Sequence, residues 1–129
     1  MQHITVFFYL CGTGAERKVS AYKNYFLDFI STLNEGASKK VFYSIDMLKT
    51  RNRVSSKFAK YIREGLYELR AEHEGNIYRA FFCFDEGNIV ILFNGFQKKS
   101  QQTPESEIKQ ALKLKNEYYE GKQQRIDKH

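Results

Sequence analysis

Three consecutive segments in the second half of the chain have the pattern of an antiparallel β-sheet. In the first segment polar and apolar side chains alternate, which is the period of a strand. The second is rich in aromatic residues, and the third is apolar on both faces, as in the central strand of a covered sheet. Glycine-containing turns separate the three segments. The sequence therefore predicts a three-stranded meander over residues 66–71, 77–84 and 89–96, with turns at residues 73–76 and 85–88.

The first half of the chain is predicted to be largely helical. Residues 4–11 favour a strand, because they are β-branched and aromatic. Apolar residues then recur with helical spacing, and Gly36 is expected to end this first helix. Its apolar positions are Val19, Tyr22, Phe26, Phe29, Ile30 and Leu33. A second helix is expected over residues 38–48. A short third helix is expected after Ser55, which would cap it, and it would carry Phe58, Tyr61 and Ile62.

The last helix is expected to start at Thr103-Pro104, since proline is favoured in a first helical turn, and to end at Gly121. Residues 122–129 are then a polar tail. At 129 residues the chain fits one domain, which we assign to residues 1–121. The predicted fold is α+β. It is a small antiparallel sheet, made of the meander and the N-terminal strand, with helices packed on one face.

Cys11 and Cys83 both lie in apolar runs and are predicted to be buried thiols. Two isolated cysteines make neither a disulfide framework nor a zinc site, so a reducing, cytoplasmic environment is expected. The apolar run at residues 4–11 has no lysine or arginine ahead of it, which disfavours a signal peptide. The three histidines lack the spacing of metal ligands. Neither a metal nor another cofactor is expected.

The formal net charge of +6 is unevenly distributed along the chain. Residues 38–70 carry nine basic and three acidic side chains, and residues 97–129 carry eight and five. Between them, residues 71–96 carry one basic and four acidic side chains. Basic patches favour polyanionic partners through phosphate contacts and counterion release. Because a solvated basic surface has the same composition, the charge indicates a nucleic-acid partner without establishing one.

Four basic residues lie within or at the ends of the predicted meander strands: Arg70, Arg79, Lys98 and Lys99. Neighbouring strands are about 5 Å apart, so these side chains can converge on one patch. Cations brought together there can hold a phosphate and stabilise the added negative charge of a pentacoordinate transition state. Each residue alone also has a structural explanation. Arg79 can pair with an acidic neighbour such as Glu68, and the two lysines can be a solvated strand exit.

The residues around these cations resemble a known family. The sequence has Gly-Leu-Tyr-Glu-Leu-Arg at residues 65–70 and Tyr-Arg at residues 78–79. These are followed by Phe96, Lys98-Lys99, Thr103-Pro104, Ile108 and Ala111. Over residues 55–120, this combination is similar to the phage-derived, HigB-like branch of the RelE/ParE toxin superfamily. The resemblance implies a microbial-RNase-like RelE fold and the toxin component of a type II toxin–antitoxin system.

The family resemblance implies a reaction and a partner. Such toxins are endoribonucleases that cleave mRNA in the ribosomal A site without metal, and a cognate helix-turn-helix antitoxin inhibits them. The ribose 2′-OH attacks the adjacent phosphorus, which leaves a 2′,3′-cyclic phosphate and a 5′-OH. The resemblance assigns Arg70, Arg79, Lys98 and Lys99 to the catalytic cleft. Arg79 would stabilise the phosphorane. Lys98 or Lys99 would carry the proton, since crowding among cations lowers a lysine pKa.

Further residues are candidates for RNA binding: Lys49, Arg51, Arg53, Tyr67 and Tyr78. Tyrosine rings can stack on the bases of a single-stranded codon, although these rings also suit a protein core. Many relatives have a Tyr or His a few residues beyond the lysine pair, as an acid or base. Residues 100–104 of this chain contain neither, which leaves the identity of the general acid or base open.

Two other functions stay open. A ParE-like toxin poisons DNA gyrase and needs no catalytic cations, so the four basic residues favour the ribonuclease over it. A catalytically degenerate family member would only bind an antitoxin and DNA. The missing Tyr or His is the argument for that third reading.

Overall fold

The computed structural model describes residues 16–99 and 103–127. This part of the chain forms a five-stranded sheet and three helices. In chain order the elements are β1 (Lys18–Ala21), α1 (Tyr25–Ser31), α2 (Glu35–Thr50), β2 (Ala59–Arg63), β3 (Leu66–His73), β4 (Asn76–Asp85), β5 (Ile89–Lys98) and α3 (Glu105–Asp127). The predicted α+β class is confirmed. The strand predicted at residues 4–11, with Cys11, lies outside the described residues.

The sheet has the strand order β1-β5-β4-β3-β2. β3, β4 and β5 form the predicted antiparallel meander, β2 pairs antiparallel with β3, and β1 pairs in parallel with β5. Glu-Gly dipeptides at residues 64–65, 74–75 and 86–87 join the antiparallel strands, and both residues of each have positive φ. That conformation matches the twist of paired strands. The two turns predicted within the meander are confirmed.

Helices cover the sheet on both faces. α1 and α2 pack Phe26, Val41 and Leu48 against one face, whereas α3 packs Ile108 and Leu114 against the other. The prediction that the helices share one face is therefore wrong. β4 and β5 carry apolar side chains on both sides, and burying apolar surface is favourable, so each face needs its own cover.

The first predicted helix is replaced by a strand and a shorter helix. Val19 lies in β1, where it pairs with Val90 of β5, and α1 starts only at Tyr25. Phe26 and Phe29 are buried in α1, as their spacing predicts. A short apolar run fits a strand or a helix equally well. Here the backbone of β5 supplies hydrogen-bond partners, so residues 18–21 form a strand.

The short helix predicted after Ser55 is also wrong. Phe58 N donates to Ser55 O at 2.9 Å in a turn, and the chain then enters β2. Ala59 pairs with Leu69, so β2 satisfies the outer edge of β3. The pairing partner, which is distant in sequence, determines this segment.

α2 confirms the predicted second helix and extends it at both ends. Asn34 caps the helix, since its Oδ1 accepts a hydrogen bond from Ala37 N at 2.8 Å. Gly36, predicted to stop a helix, lies in the first turn of α2. A Cβ at this position would lie 2.4 Å from Nε2 of His73. Glycine therefore permits a close approach here and does not end a helix.

α3 continues through Gly121 to Asp127, so the predicted helix end at Gly121 is wrong, and residues 122–127 of the predicted tail are helical. Lys122 Nζ donates to Oδ1 of the buried Asp85 at 2.8 Å, and the Tyr118 hydroxyl donates to the same carboxylate. These contacts hold the last turns of α3 on the sheet. Within residues 16–99 and 103–127, no helix combines the length and apolar character needed to cross a bilayer.

Two more buried side chains belong to the fold and not to a reactive site. Arg17 donates to the carbonyl oxygens of Leu48 at 2.7 Å and Arg51 at 2.6 Å, where the end of α2 leaves carbonyls without helical partners. Cys83 is a buried free thiol, as predicted. Burial raises the pKa of Cys83 to about 11, which disfavours the nucleophilic thiolate.

Candidate functional site

α3 covers only part of its face of the sheet. Near the start of α3, Nδ2 of Asn94 in β5 donates to Oε1 of Glu107 at 3.2 Å. Near its end, Lys122 reaches Asp85 at the β4–β5 turn. The opposite ends of these strands, toward the turn at residues 74–75, lie beyond the start of α3. On this side the strands present charged side chains.

Charged side chains from four adjacent strands meet on this part of the face. Arg70 of β3 lies directly opposite Arg79 of β4, and Lys60 of β2 lies opposite Glu68 of β3. Lys98, at the end of β5, is close enough for the charges of Arg79, Lys60 and Arg70 to act on it. We call these five residues, Lys60, Glu68, Arg70, Arg79 and Lys98, the cationic face. Four cations and one carboxylate give the cationic face a net positive charge.

Arg79 and Glu68 form a buried ion pair within the cationic face. Their side chains are 3% and 0% exposed, and Nη1 of Arg79 donates to Oε1 of Glu68. Thr103, just before α3, donates its hydroxyl to Oε2 of Glu68 at 2.8 Å. Nε of Arg79 has no hydrogen-bond partner in the described part of the chain. The structure thus shows the ion pair of Arg79 with Glu68 that the sequence offered as an alternative to a catalytic function. Because this pair is buried, the guanidinium of Arg79 cannot reach a phosphate at the surface.

Burial lowers the pKa of Arg79, and the facing charge of Arg70 lowers it further, while Glu68 acts in the opposite direction. The carboxylate of Glu68 therefore offsets part of the repulsion between Arg70 and Arg79. Like charges directly opposite each other destabilise a sheet. Arg70, which is half-buried, keeps its charge available to a ligand.

Lys98 is half-buried, and burial lowers its pKa below the ordinary 10.5. The charge of Arg79 lowers the pKa of Lys98 further, Glu68 acts in the opposite direction, and the charges of Lys60 and Arg70 add smaller decreases. A lysine with a depressed pKa is neutral in a larger fraction of molecules at a given pH, and only the neutral amine can accept a proton. The cationic face can thus hold a phosphate through Lys60 and Arg70 and move a proton at Nζ of Lys98.

The structure brings together three of the four residues assigned to a cleft from sequence: Arg70, Arg79 and Lys98. Lys99 follows β5 and is exposed. The exposed residues Lys49, Arg51 and Arg53 lie at the end of α2 and just after it, outside the cationic face.

Tyr67 and Tyr78, the proposed stacking platforms, pack with the core on the face covered by α1 and α2. Tyr67 stacks on Phe82 with ring centroids 5.4 Å apart, and Tyr78 is 5% exposed. Neither ring faces the cationic side of the sheet, so neither can stack on a base held at the cationic face; the assignment of the two tyrosines to RNA binding stays a prediction. Tyrosine in a strand adjoining a helix is accounted for by burial of its ring.

Sequence reasoning misses Lys60 and the second function of Thr103. The sequence predicts a short helix around Lys60, so its position in a strand is not expected. The nearby apolar residues Ala59 and Ile62 do not alternate with polar ones in the clear pattern of a strand. Thr103 is expected only to open α3, and its hydroxyl contact with Glu68 needs the tertiary fold. Residues 100–102, where the missing acid or base was sought, lie outside the described residues.

The chain was compared with known proteins by sequence. A family model described as "Phage derived protein Gp49-like (DUF891)" matches residues 28–116, more than two thirds of the chain. The match includes every residue of the cationic face. A search among curated proteins found no similar sequence.

Proposed function

Because the chain belongs to the family of Gp49-like phage-derived proteins, we propose that it is the toxin of a toxin–antitoxin pair and a ribosome-dependent endoribonuclease. Membership agrees with a relation to RelE/ParE-like toxins in general. The HigB-like branch, the ribosome and mRNA cleavage are parts of the proposal. The observation that carries the proposal is the cationic face, where the half-buried Lys98, whose pKa is lowered, lies near the half-buried Arg70 and the buried Arg79.

The proposed chemistry uses the chain's own side chains. Lys60 and Arg70 bind the scissile phosphate and offset its developing charge. Neutral Lys98 Nζ takes the proton of the ribose 2′-OH, whose oxygen attacks phosphorus. The bond from phosphorus to the 5′ oxygen breaks, and that oxygen takes a proton from the Lys99 ammonium or from water. The products are a 2′,3′-cyclic phosphate and a 5′-OH.

In this scheme Arg79 acts through Lys98 and has no contact with RNA. Its charge lowers the pKa of Lys98, while its guanidinium is used by Glu68. Arg79 is therefore a positioning residue, and its predicted part in stabilising the phosphorane is transferred to Arg70. Both functions need the strand register that places the two arginines side by side.

The test is induced expression in a bacterium without any partner protein, with mapping of mRNA 5′ ends. We expect growth arrest and cuts inside translated codons. Lys98→Met should lower cleavage by about 10²-fold or more, the usual contribution of a proton-transfer group. Lys113→Met, at an exposed position of α3, removes the same charge far from the cationic face and should leave cleavage unchanged.

The alternatives give different results in the same experiment. Identical cuts on naked RNA would contradict the dependence on ribosomes. Growth arrest with intact mRNA and double-strand DNA breaks would indicate a gyrase poison. A degenerate antitoxin-binding protein is a second candidate, because the buried Arg79–Glu68 pair keeps one arginine from any substrate. Normal growth and intact mRNA, despite abundant folded protein, would favour it.

We also propose a cytoplasmic location and a cognate helix-turn-helix antitoxin that binds with an acidic, partly helical segment. The excess of basic side chains in residues 38–70 and 97–129 supports an anionic partner. Association should weaken strongly between roughly 50 and 500 mM salt, because screening shortens the reach of surface charges. Binding that is insensitive to salt would contradict this electrostatic account.

A further inference from the structure

A groove lies along the outer edge of β3, beyond the end of β2. The pairing of β2 starts at Ala59, opposite Leu69, so β3 continues from Arg70 to His73 past its neighbour. α2 and residues 55–58 form the walls of the groove, whose volume is about 660 Å³. This volume is in the range of small-ligand sites. We call it the edge groove.

The backbone of Arg70 joins the two walls of the edge groove. Arg70 N donates to Phe58 O at 2.7 Å, and Ser44 of α2 donates its hydroxyl to Arg70 O at 2.7 Å. The backbone of β3 is thus hydrogen-bonded to both walls of the groove.

The side chains that line the edge groove combine cations, hydroxyl groups and aromatic rings. Its cations are Lys40, Lys57 and Arg70, against one carboxylate, Glu72. Among the described residues, none of the three cations has a carboxylate oxygen within 4.0 Å. Their charge is therefore available to an anionic ligand.

Two aromatic rings supply a stacking surface next to these cations. Tyr43 is 52% exposed and contacts Phe58 edge-on, with ring centroids 5.9 Å apart. Nζ of Lys57 lies 5.9 Å from the centroid of Phe58. Exposed rings beside cations are the features by which proteins bind single-stranded nucleic acid, through base stacking and phosphate contacts.

Arg70 connects the edge groove with the cationic face. It lines the groove, and its charge also acts on Arg79 and Lys98. Two strand spacings, about 10 Å, separate β3 from β5. A short RNA strand with its scissile phosphate beside Lys98 can therefore continue past Arg70 and around the edge of β3 to Tyr43, which lies on the α2 side of the sheet.

We propose that the edge groove binds a nucleotide of single-stranded RNA next to the site of cleavage. The base stacks on Tyr43, and its phosphate lies between Lys40, Lys57 and Arg70. This inference rests on the proposed ribonuclease function and gives it a second contact for the substrate. It would explain why cationic and aromatic side chains gather on the part of the β3 edge that no other strand within residues 16–99 and 103–127 covers.

The test is fluorescence anisotropy with a labelled single-stranded octanucleotide whose riboses are 2′-O-methylated, so that it cannot be cleaved. Tyr43→Ala should weaken binding about ten-fold or more, the usual effect of removing one stacking ring. Phe42→Ala is the matched control, because Phe42 is the neighbouring residue of α2, is 47% exposed and lies outside the groove. It should change the affinity by less than about two-fold.

A second pair of variants tests the phosphate contact. Lys40→Gln should weaken binding and reduce its dependence on salt. Lys39→Gln removes the same charge from the preceding residue, which is exposed and pairs with Glu35, and should do neither. Circular dichroism of all four variants shows that each is folded. A 4-thiouridine placed in the RNA should cross-link to a peptide that contains Tyr43 or Phe58.

The outcomes separate this inference from the proposed function. If Tyr43→Ala and Lys40→Gln bind like the wild type while Arg70→Gln binds weakly, the groove is not an RNA site and the cationic face still is. A different result would be that polyglutamate displaces the RNA probe, that Tyr43→Ala does not change probe binding, and that no cross-link to the groove forms. That result would indicate that the groove binds an acidic protein segment and would overturn the inference. No binding by the wild type would also overturn it, whereas mapped mRNA cuts decide the ribonuclease function independently.

Discussion

Replacing Glu68 tests what the buried pair does. Glu68→Gln leaves the guanidinium of Arg79, which is 3% exposed, without a counter-charge in the interior. Breaking a buried ion pair by removing one partner costs about 3–5 kcal/mol. A domain of this size loses about 4 °C of melting temperature per kcal/mol, so we expect the thermal midpoint to fall by about 12–20 °C.

Removing both charges should restore most of that stability. Glu68→Leu combined with Arg79→Met replaces the pair by apolar side chains of similar size, an exchange that is often neutral or stabilising. The hydroxyl of Thr103 then loses its acceptor, which costs about 1 kcal/mol. Urea and thermal unfolding of Glu68→Leu, of Arg79→Met and of the double variant, each compared with the wild type, form a double-mutant cycle. We expect a coupling of about 2–4 kcal/mol between Glu68 and Arg79.

The same double variant distinguishes a structural arginine from a catalytic one. If Arg79 acts only through the fold and through Lys98, the folded double variant should retain mRNA cleavage within about ten-fold of the wild type. A loss of about 10²–10³-fold in a protein of normal stability is the effect of removing a transition-state stabiliser. That result, or an unchanged thermal midpoint in Glu68→Gln, would refute the reasoning from burial.

Other predictions concern packing and proton affinity. Gly95→Ala should cost about 1–3 kcal/mol in urea unfolding, because its Cβ would lie 2.3 Å from the ring of Phe29. Gly121→Ala lies inside α3, where the added Cβ would meet only Nη1 of Arg125 at an ordinary 3.7 Å, and should stabilise by about 0.5–1 kcal/mol. A similar change in the free energy of unfolding for both variants would contradict this reasoning. Labelling with acetic anhydride should give Lys98 a midpoint below pH 10.5. Lys60→Gln should raise that midpoint, since it removes a neighbouring cation, and an unchanged midpoint would count against the coupling.

The elements that the sequence predicts correctly are those whose local pattern has one solution. The meander is marked by Glu-Gly turns at residues 74–75 and 86–87, where glycine has positive φ. α2 has a long helical pattern, and its inner face is buried as expected. The strand positions of Arg70, Arg79 and Lys98 follow from the same periodicity. The convergence of the three cations could therefore be foreseen from spacing alone.

The sequence errs where the partner of a segment is distant. Val19 has helical spacing relative to Phe26 and becomes a strand because β5 offers it a backbone edge. Residues 59–63 become a strand because β3 offers them a backbone edge to pair with. Gly36 and Gly121 both lie inside helices. At Gly36 the glycine permits a close contact with His73, which cannot be read from either residue alone.

The sequence by itself determined the three-stranded meander, the helices α2 and α3 and which charges the meander strands carry, because these follow from periodicity and turn chemistry within a few residues. Only the tertiary structure decided which charges are usable. It buried Arg79 against Glu68 and left Arg70 and Lys98 partly accessible, and it added Lys60 from a strand that the pattern did not indicate. The energy of a charge depends on burial and on its neighbours in space. Both are properties of the folded chain, so residue order cannot supply them.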